Sequence, residues 1–192
     1  MARLPKGSMD AADFLGITPR RRPNGRKMTK AAIQRGWDAV VDWLDDRTYE
    51  VDCYPGAQDQ VDFNDYCVHI NSSKGAESRL YTLLHEAGHV MVRDDWASFS
   101  QFYPNYLKSQ WGLDGRTTKS KSHRVAAIAE EYEAWRRGLV LAWQLGIPVN
   151  SNKYDRESSD AMLTYIHWTA VVSQKHRNAG QKAAQSRRAR KV

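Results

Sequence analysis

Cysteine is scarce in this chain, with only Cys53 and Cys67 among 192 residues. Two are too few for the disulfide framework on which small secreted domains depend, and free thiols in a reducing cytosol are the expectation. Long apolar runs are missing as well. No stretch of 18 or more apolar residues occurs, so no membrane contact through a spanning helix is expected. The first residues carry no apolar segment of the signal-peptide kind, which makes the cytoplasm the expected compartment. No internal repeat is present.

What the chain does have is 41% apolar residues and seven tryptophans, enough for one ordinary domain with a real core. Its net charge of +7 is unevenly spread. Residues 1–30 carry +6 and residues 175–192 carry +7 with no acid, which leaves the centre, 31–174, at −6. Basic ends of this kind suit weak, sequence-independent contact with nucleic acid. The C-terminal run, however, has no interleaved aromatic residues on which bases would stack, and a solvated tail is the simpler reading. The expected organisation is a flexible basic leader over 1–28, a folded domain over 29–175 and a basic disordered tail over 176–192.

Within the domain, Thr29 is placed to cap a helix in which Ile33, Trp37, Val40 and Leu44 repeat at helical spacing. Alternating apolar residues then predict strands over 49–54 and 62–71, separated by Pro55-Gly56. A loop over 72–78 leads into a helix with Leu80, Leu83, Leu84, Ala87 and Met91 along one stripe. Six aromatics from Trp96 to Trp111 read either as the roof of a cleft or as a packed helical hairpin, interrupted at Pro104, and 112–122 reads as a basic loop. A long helix over 122–145 stops at Gly146 and Pro148, and a last helix is expected from Ser158 or Ser159 to Lys175.

The stripe of the fourth segment contains the pentad His85-Glu86-Ala87-Gly88-His89. On a helix, positions i and i+4 share a face with Cβ atoms about 6 Å apart, so two imidazoles can reach one ion. The glutamate beside them is placed to take a proton from water activated by zinc rather than to ligate it, which makes Glu86 the expected catalytic base. A histidine pair of this spacing can also be ordinary helix surface. Gly88, a poor helix former, points instead to close packing at that spot.

Catalytic zinc usually takes three protein ligands. The metzincin continuation needs Gly at 92 and His at 95, where this chain has Val92 and Asp95. Asp94 and Asp95 follow too closely unless the helix ends sharply. On the long helix, Ile128, Tyr132, Trp135, Leu139 and Trp143 fall in one arc expected to face the core. Glu131 lies at the edge of that arc and is the expected third ligand, while Glu130 and Glu133 point nearly the opposite way. A rim glutamate reaching water or an arginine is the competing reading of Glu131. His123, His167 and Tyr132 are candidates for oxyanion stabilisation or support behind the ligands.

Two stretches carry a resemblance. The run Tyr66-Cys67-Val68-His69-Ile70-Asn71, followed by Thr82-Leu83-Leu84-His85-Glu86-Ala87-Gly88-His89, resembles the ImmA/IrrE family of zinc metallopeptidases. Further on, Glu131-Tyr132-Glu133-Ala134-Trp135 and Leu145-Gly146-Ile147-Pro148 resemble that family's Glu-x-Glu-Ala-Asn helix and closing Leu-Leu-x-Pro, with Trp135 where the pattern has Asn. The resemblance covers about residues 49–148. It implies a minimal gluzincin-like α+β fold, with a small sheet packed on the His-Glu-x-x-His helix and on a second long helix carrying a Glu ligand. It also implies zinc as cofactor and cleavage of a protein substrate, often a DNA-binding repressor of a phage or mobile element, in the host cytoplasm if phage-encoded. From a different class, the alternative is a non-catalytic module stabilised by zinc that uses its basic ends to bind nucleic acid or a partner protein.

Overall fold

In a computed structural model, residues 27–103 and 121–189 are described, with side chains to residue 170. The leader up to residue 26, the second half of the aromatic segment and the basic loop before residue 121 lie outside the described residues. The described parts form an α+β domain in the order α1 (Lys30–Asp45), β1 (Glu50–Tyr54), β2 (Gln60–Asp62), β3 (Cys67–Asn71), α2 (Ala76–Asp94), α3 (Trp96–Phe102), α4 (Lys121–Gln144) and α5 (Ser151–Ala189). None of the described helices is long and apolar enough to cross a membrane.

Thr29 caps α1 as expected, its Oγ1 accepting the Ala32 N–H at 3.2 Å, and Val40 and Leu44 are fully buried. The sheet is mixed, in the order β1-β3-β2, with β1 parallel and β2 antiparallel to the central β3. The single strand expected over 62–71 is instead two. Asp62 Oδ1 accepts the N–H groups of Asn64 and Asp65, and Tyr66 takes a positive φ of 52°, so the chain turns between β2 and β3. Val68 and Ile70 of β3 are completely buried beneath α2.

Helix α2 starts at Ala76, three residues inside the expected loop, and its Leu80, Leu83, Leu84 and Ala87 are fully buried. It packs mainly on α4. There the expected facing is corrected. Tyr132 is 56% exposed and Ile128, Leu139 and Trp143 are only partly buried, whereas Glu131, Ala134, Trp135, Gly138, Leu141 and Ala142 are buried. The bulky residues had suggested one arc, but small residues define the contact, because two helix backbones meet there. A Cβ on Gly88 would lie 1.9 Å from the Ala134 carbonyl oxygen, and one on Gly138 would lie 2.3 Å from that of Leu84. Each glycine thus admits the other helix's main chain.

Gly146, at φ 67°, ends α4 as expected, with the Ile147 N–H returning to the Ala142 carbonyl at 2.8 Å. The last helix differs from expectation at both ends. It begins at Ser151, and it runs beyond Lys175 to Ala189. Of the aromatic segment, Phe99 packs with Val92 and Ala126, joined by Trp96 and Tyr103, while Phe102 is 78% exposed.

Candidate metal centre

The close approach of α2 and α4 sets Glu131, one helical turn before Ala134, opposite the two histidines of α2. His85 Nε2 lies 3.1 Å from His89 Nε2 and 3.0 Å from Glu131 Oε1, and His89 Nε2 lies 3.6 Å from Glu131 Oε2. An ion bonded at about 2.0–2.1 Å to such donors in tetrahedral geometry needs donor–donor edges of about 3.3 Å. The three donor atoms match that triangle. The buried His85 and Glu131 and the largely buried His89 are thus positioned to hold a metal ion.

Each histidine is held differently. Glu130 hydrogen-bonds His89 Nδ1, which keeps a proton on that nitrogen and leaves Nε2 to face the ion. The expectation that Glu130 points away is therefore corrected. The contact face of α4 is centred on Glu131 and the small residues after it, and Glu130, about 100° round from Glu131, still borders that face. His85 is stacked on Trp135, ring centroids 4.3 Å apart at 20°, and its buried Nδ1 has no hydrogen-bond partner. Trp135 in turn packs on Tyr154, whose hydroxyl donates to the Trp135 carbonyl at 2.7 Å.

Burial pushes the Glu86 carboxyl up to about 8, with Glu131, Asp59 and Glu130 adding to the rise against the opposing pull of His89. Burial alone would lower His89, but Glu130 at Nδ1, together with Glu86 and Glu131, raises it to about 10. His85 is lowered, first by burial and then by His89. Burial would raise Glu131, yet its hydrogen bond and charge interaction with His85 and a hydrogen bond from Tyr165 hold it below its ordinary value. Three carboxyl groups crowding one buried point, opposite a single strongly basic imidazole, form a site whose chemistry fits a cation.

The other acids considered are engaged elsewhere. Glu133 pairs with Arg136 at 2.7 Å and with Arg137 at 3.5 Å, Asp95 pairs with Arg137 at 2.8 Å, and Asp94 pairs with Arg47 at 3.4 Å. His123 is buried and His167 exposed. Neither they nor Tyr132 line the cleft at the site.

That cleft, about 900 Å³, is lined by His85, Glu86, His89, Glu130 and Glu131 on the helix side and by Gln60, Val61 and Phe63 from β2 and its turn. A third wall comes from α5, through Glu157, Asp160, Ala161, Thr164 and Tyr165. These five follow i, i+3, i+4, i+7, i+8 spacing, a face that the sequence displays once the helix is started at Ser151. The lone lysine among the lining residues, Lys74, is paired with Asp59 at 2.6 Å. Burial and the neighbouring Glu131 raise the Tyr165 hydroxyl well above the ordinary tyrosine value. It is the site group with no counterpart in the sequence reading.

Fold and site together define an α+β protein in which two histidines and one carboxylate, positioned to hold a metal ion, open on an acidic cleft. No protein-family model, curated protein or solved structure matches the chain.

Proposed function

We propose that this chain is a zinc metallopeptidase with a zincin-like fold, similar to the ImmA/IrrE family, that hydrolyses a peptide bond in a protein substrate. The observation that carries the reading is the convergence of His85, His89 and Glu131 on one point, with Glu86 lining the same cleft. Zinc, when bound, supplies a Lewis acid that polarises a carbonyl and makes water acidic. Glu86 takes the proton of the attacking water and returns it to the departing amine. Tyr165, whose hydroxyl meets Glu131 at the cleft wall, is the group this reading assigns to the developing oxyanion.

Strand β2 supplies an edge along the cleft on which an extended peptide can pair. Glu157 and Asp160, with Lys74 and Asp59 paired to each other, favour a basic segment, as found in a DNA-binding regulator. The test joins metal content with cleavage of a peptide library rich in Lys and Arg. Glu86→Gln is expected to keep one zinc at the triad and to lose cleavage by about 100-fold or more. Undiminished cleavage by Glu86→Gln refutes the mechanism, whereas stoichiometric zinc without any cleavage by the wild-type protein favours the non-catalytic module.

A further inference from the structure

A second group of metal-ligating side chains lies on the sheet, on strands β1 and β3. Cys67 and His69 are two apart on β3 and so share one face, while Val68 and Ile70 between and beyond them are buried on the opposite face. In the parallel register His69 stands beside Asp52 of β1. The three side chains converge. Cys67 Sγ lies 3.6 Å from Asp52 Oδ2 and 3.8 Å from His69 Nδ1, and His69 Nδ1 lies 3.9 Å from Asp52 Oδ2.

The Cys67 thiol hydrogen-bonds both partners, but His69 and Asp52 lie too far apart to hydrogen-bond each other, which leaves room between them for an ion. The triangle is close to what a tetrahedral ion requires. With bonds of about 2.3 Å to sulfur and about 2.0 Å to nitrogen or oxygen, the edges to sulfur are about 3.6 Å, close to those observed, and the nitrogen–oxygen edge is about 3.3 Å, which the observed 3.9 Å exceeds by about 0.6 Å. Tyr54, two residues beyond Asp52, sets its ring edge-on to His69 with centroids 6.1 Å apart and steadies the imidazole. Glu50, beside Cys67 in the register, adds negative charge where a cation would gain from it.

We infer that Asp52, Cys67 and His69 form a second, structural metal site for a borderline divalent cation such as zinc, distinct from the histidine–glutamate centre. Sulfur, imidazole and carboxylate together select this class of ion over magnesium or calcium, which prefer oxygen alone. Its place gives it a role. β1 is an edge strand held in the sheet by β3 alone, and an ion joining Asp52 to Cys67 and His69 ties that edge to the centre of the sheet.

Cobalt(II) loading of the metal-stripped full chain separates the two sites, because a thiolate ligand gives a charge-transfer band in the near ultraviolet and the His85–His89–Glu131 centre contains no sulfur. Two equivalents are expected, one of them carrying the band. Cys67→Ser should abolish the band and one equivalent, and Cys53→Ser, which removes the other, exposed thiol, should leave both unchanged. Asp52 is exposed, so Asp52→Asn tests the site without threatening the fold and should weaken the band-carrying equivalent about tenfold or more. His85→Ala should remove the equivalent without the band and retain the one with it. A single equivalent lacking the band, or a band that persists in Cys67→Ser, overturns the second site and leaves the first standing.

Discussion

Glu130 meets the triad through one histidine nitrogen, and that contact separates two kinds of carboxylate on α4. Glu131 offers its oxygens to the metal position itself, whereas Glu130 fixes which nitrogen of His89 is free to do so. Replacing Glu130 with Ala should therefore weaken zinc affinity by about 10-fold to 100-fold while leaving the number of sites unchanged, as measured by competition with a chromophoric chelator. Glu133→Ala, removed from the site by its pairing with Arg136 and Arg137, should leave affinity unchanged in the same assay. The histidine pair was readable from spacing because two histidines four apart on a helix have few ways to diverge, whereas Glu131 was reached through an arc of bulky residues that does not face the core. Glu130 was not, because the phase of α4 was taken from its bulky residues when glycine and alanine set it.

Protonation follows from the same residues. His89 is raised to about 10 from its ordinary 6.5, so in the metal-free protein the stability contributed by its charge is fully present below about pH 6.5 and is lost as the pH climbs through about 10. Glu86, raised to about 8 from 4.5, keeps its proton in the fold and acts in the same direction over about pH 4.5–8. Chelator-treated protein should accordingly melt at a lower temperature at about pH 9 than at about pH 6. Zinc must displace the proton on His89 Nε2, so its apparent affinity should rise over that interval and its uptake near neutrality should release protons, detectable by calorimetry in buffers of different ionisation enthalpy.

At the level of elements, the contact between α2 and α4 governs the site. Gly88→Ala and Gly138→Ala each place a methyl group against the opposite main chain, and each should destabilise the protein by about 3 kcal/mol, read from denaturant midpoints. Gly75→Ala, where an added Cβ meets nothing within 4 Å, should change stability by less than about 1 kcal/mol. The two glycine variants should also lose zinc affinity, because any widening between the helices moves Glu131 from the histidines. Helices α1, α2 and α4 were legible from periodicity and caps. The split between β2 and β3 lay in the Asp62, Asn64 and Asp65 cluster, whose side chains favour a turn, but the alternation of Tyr66, Val68 and Ile70 masked it. The early start of α5 was hidden because residues 151–157 are polar apart from Tyr154, and one apolar residue makes no stripe.

For the whole molecule, the uneven charge anticipated from sequence acquires a location. The acidic centre gathers around the cleft, where Asp59, Glu86, Glu130, Glu157 and Asp160 surround the triad and its own Glu131. A cation there relieves repulsion that the fold otherwise sustains. Stripping the metal should lower the melting temperature, and restoring zinc to about 1,000 times its dissociation constant should return about 4 kcal/mol of stability. Composition revealed the sign of this charge but not its concentration, since residues from three separate helices and from the loop before β2 contribute to it.

The paired glycines have one further consequence, which concerns adjustability. A contact made by side chains can be retuned by exchanging one volume for another, but the contact of Gly88 with Ala134 and of Gly138 with Leu84 is made against carbonyl oxygens and offers nothing to trim. The spacing of the metal donors is thereby inherited from backbone dimensions. Altering the metal preference of this scaffold would require changing the ligands, because the frame between them has a single setting.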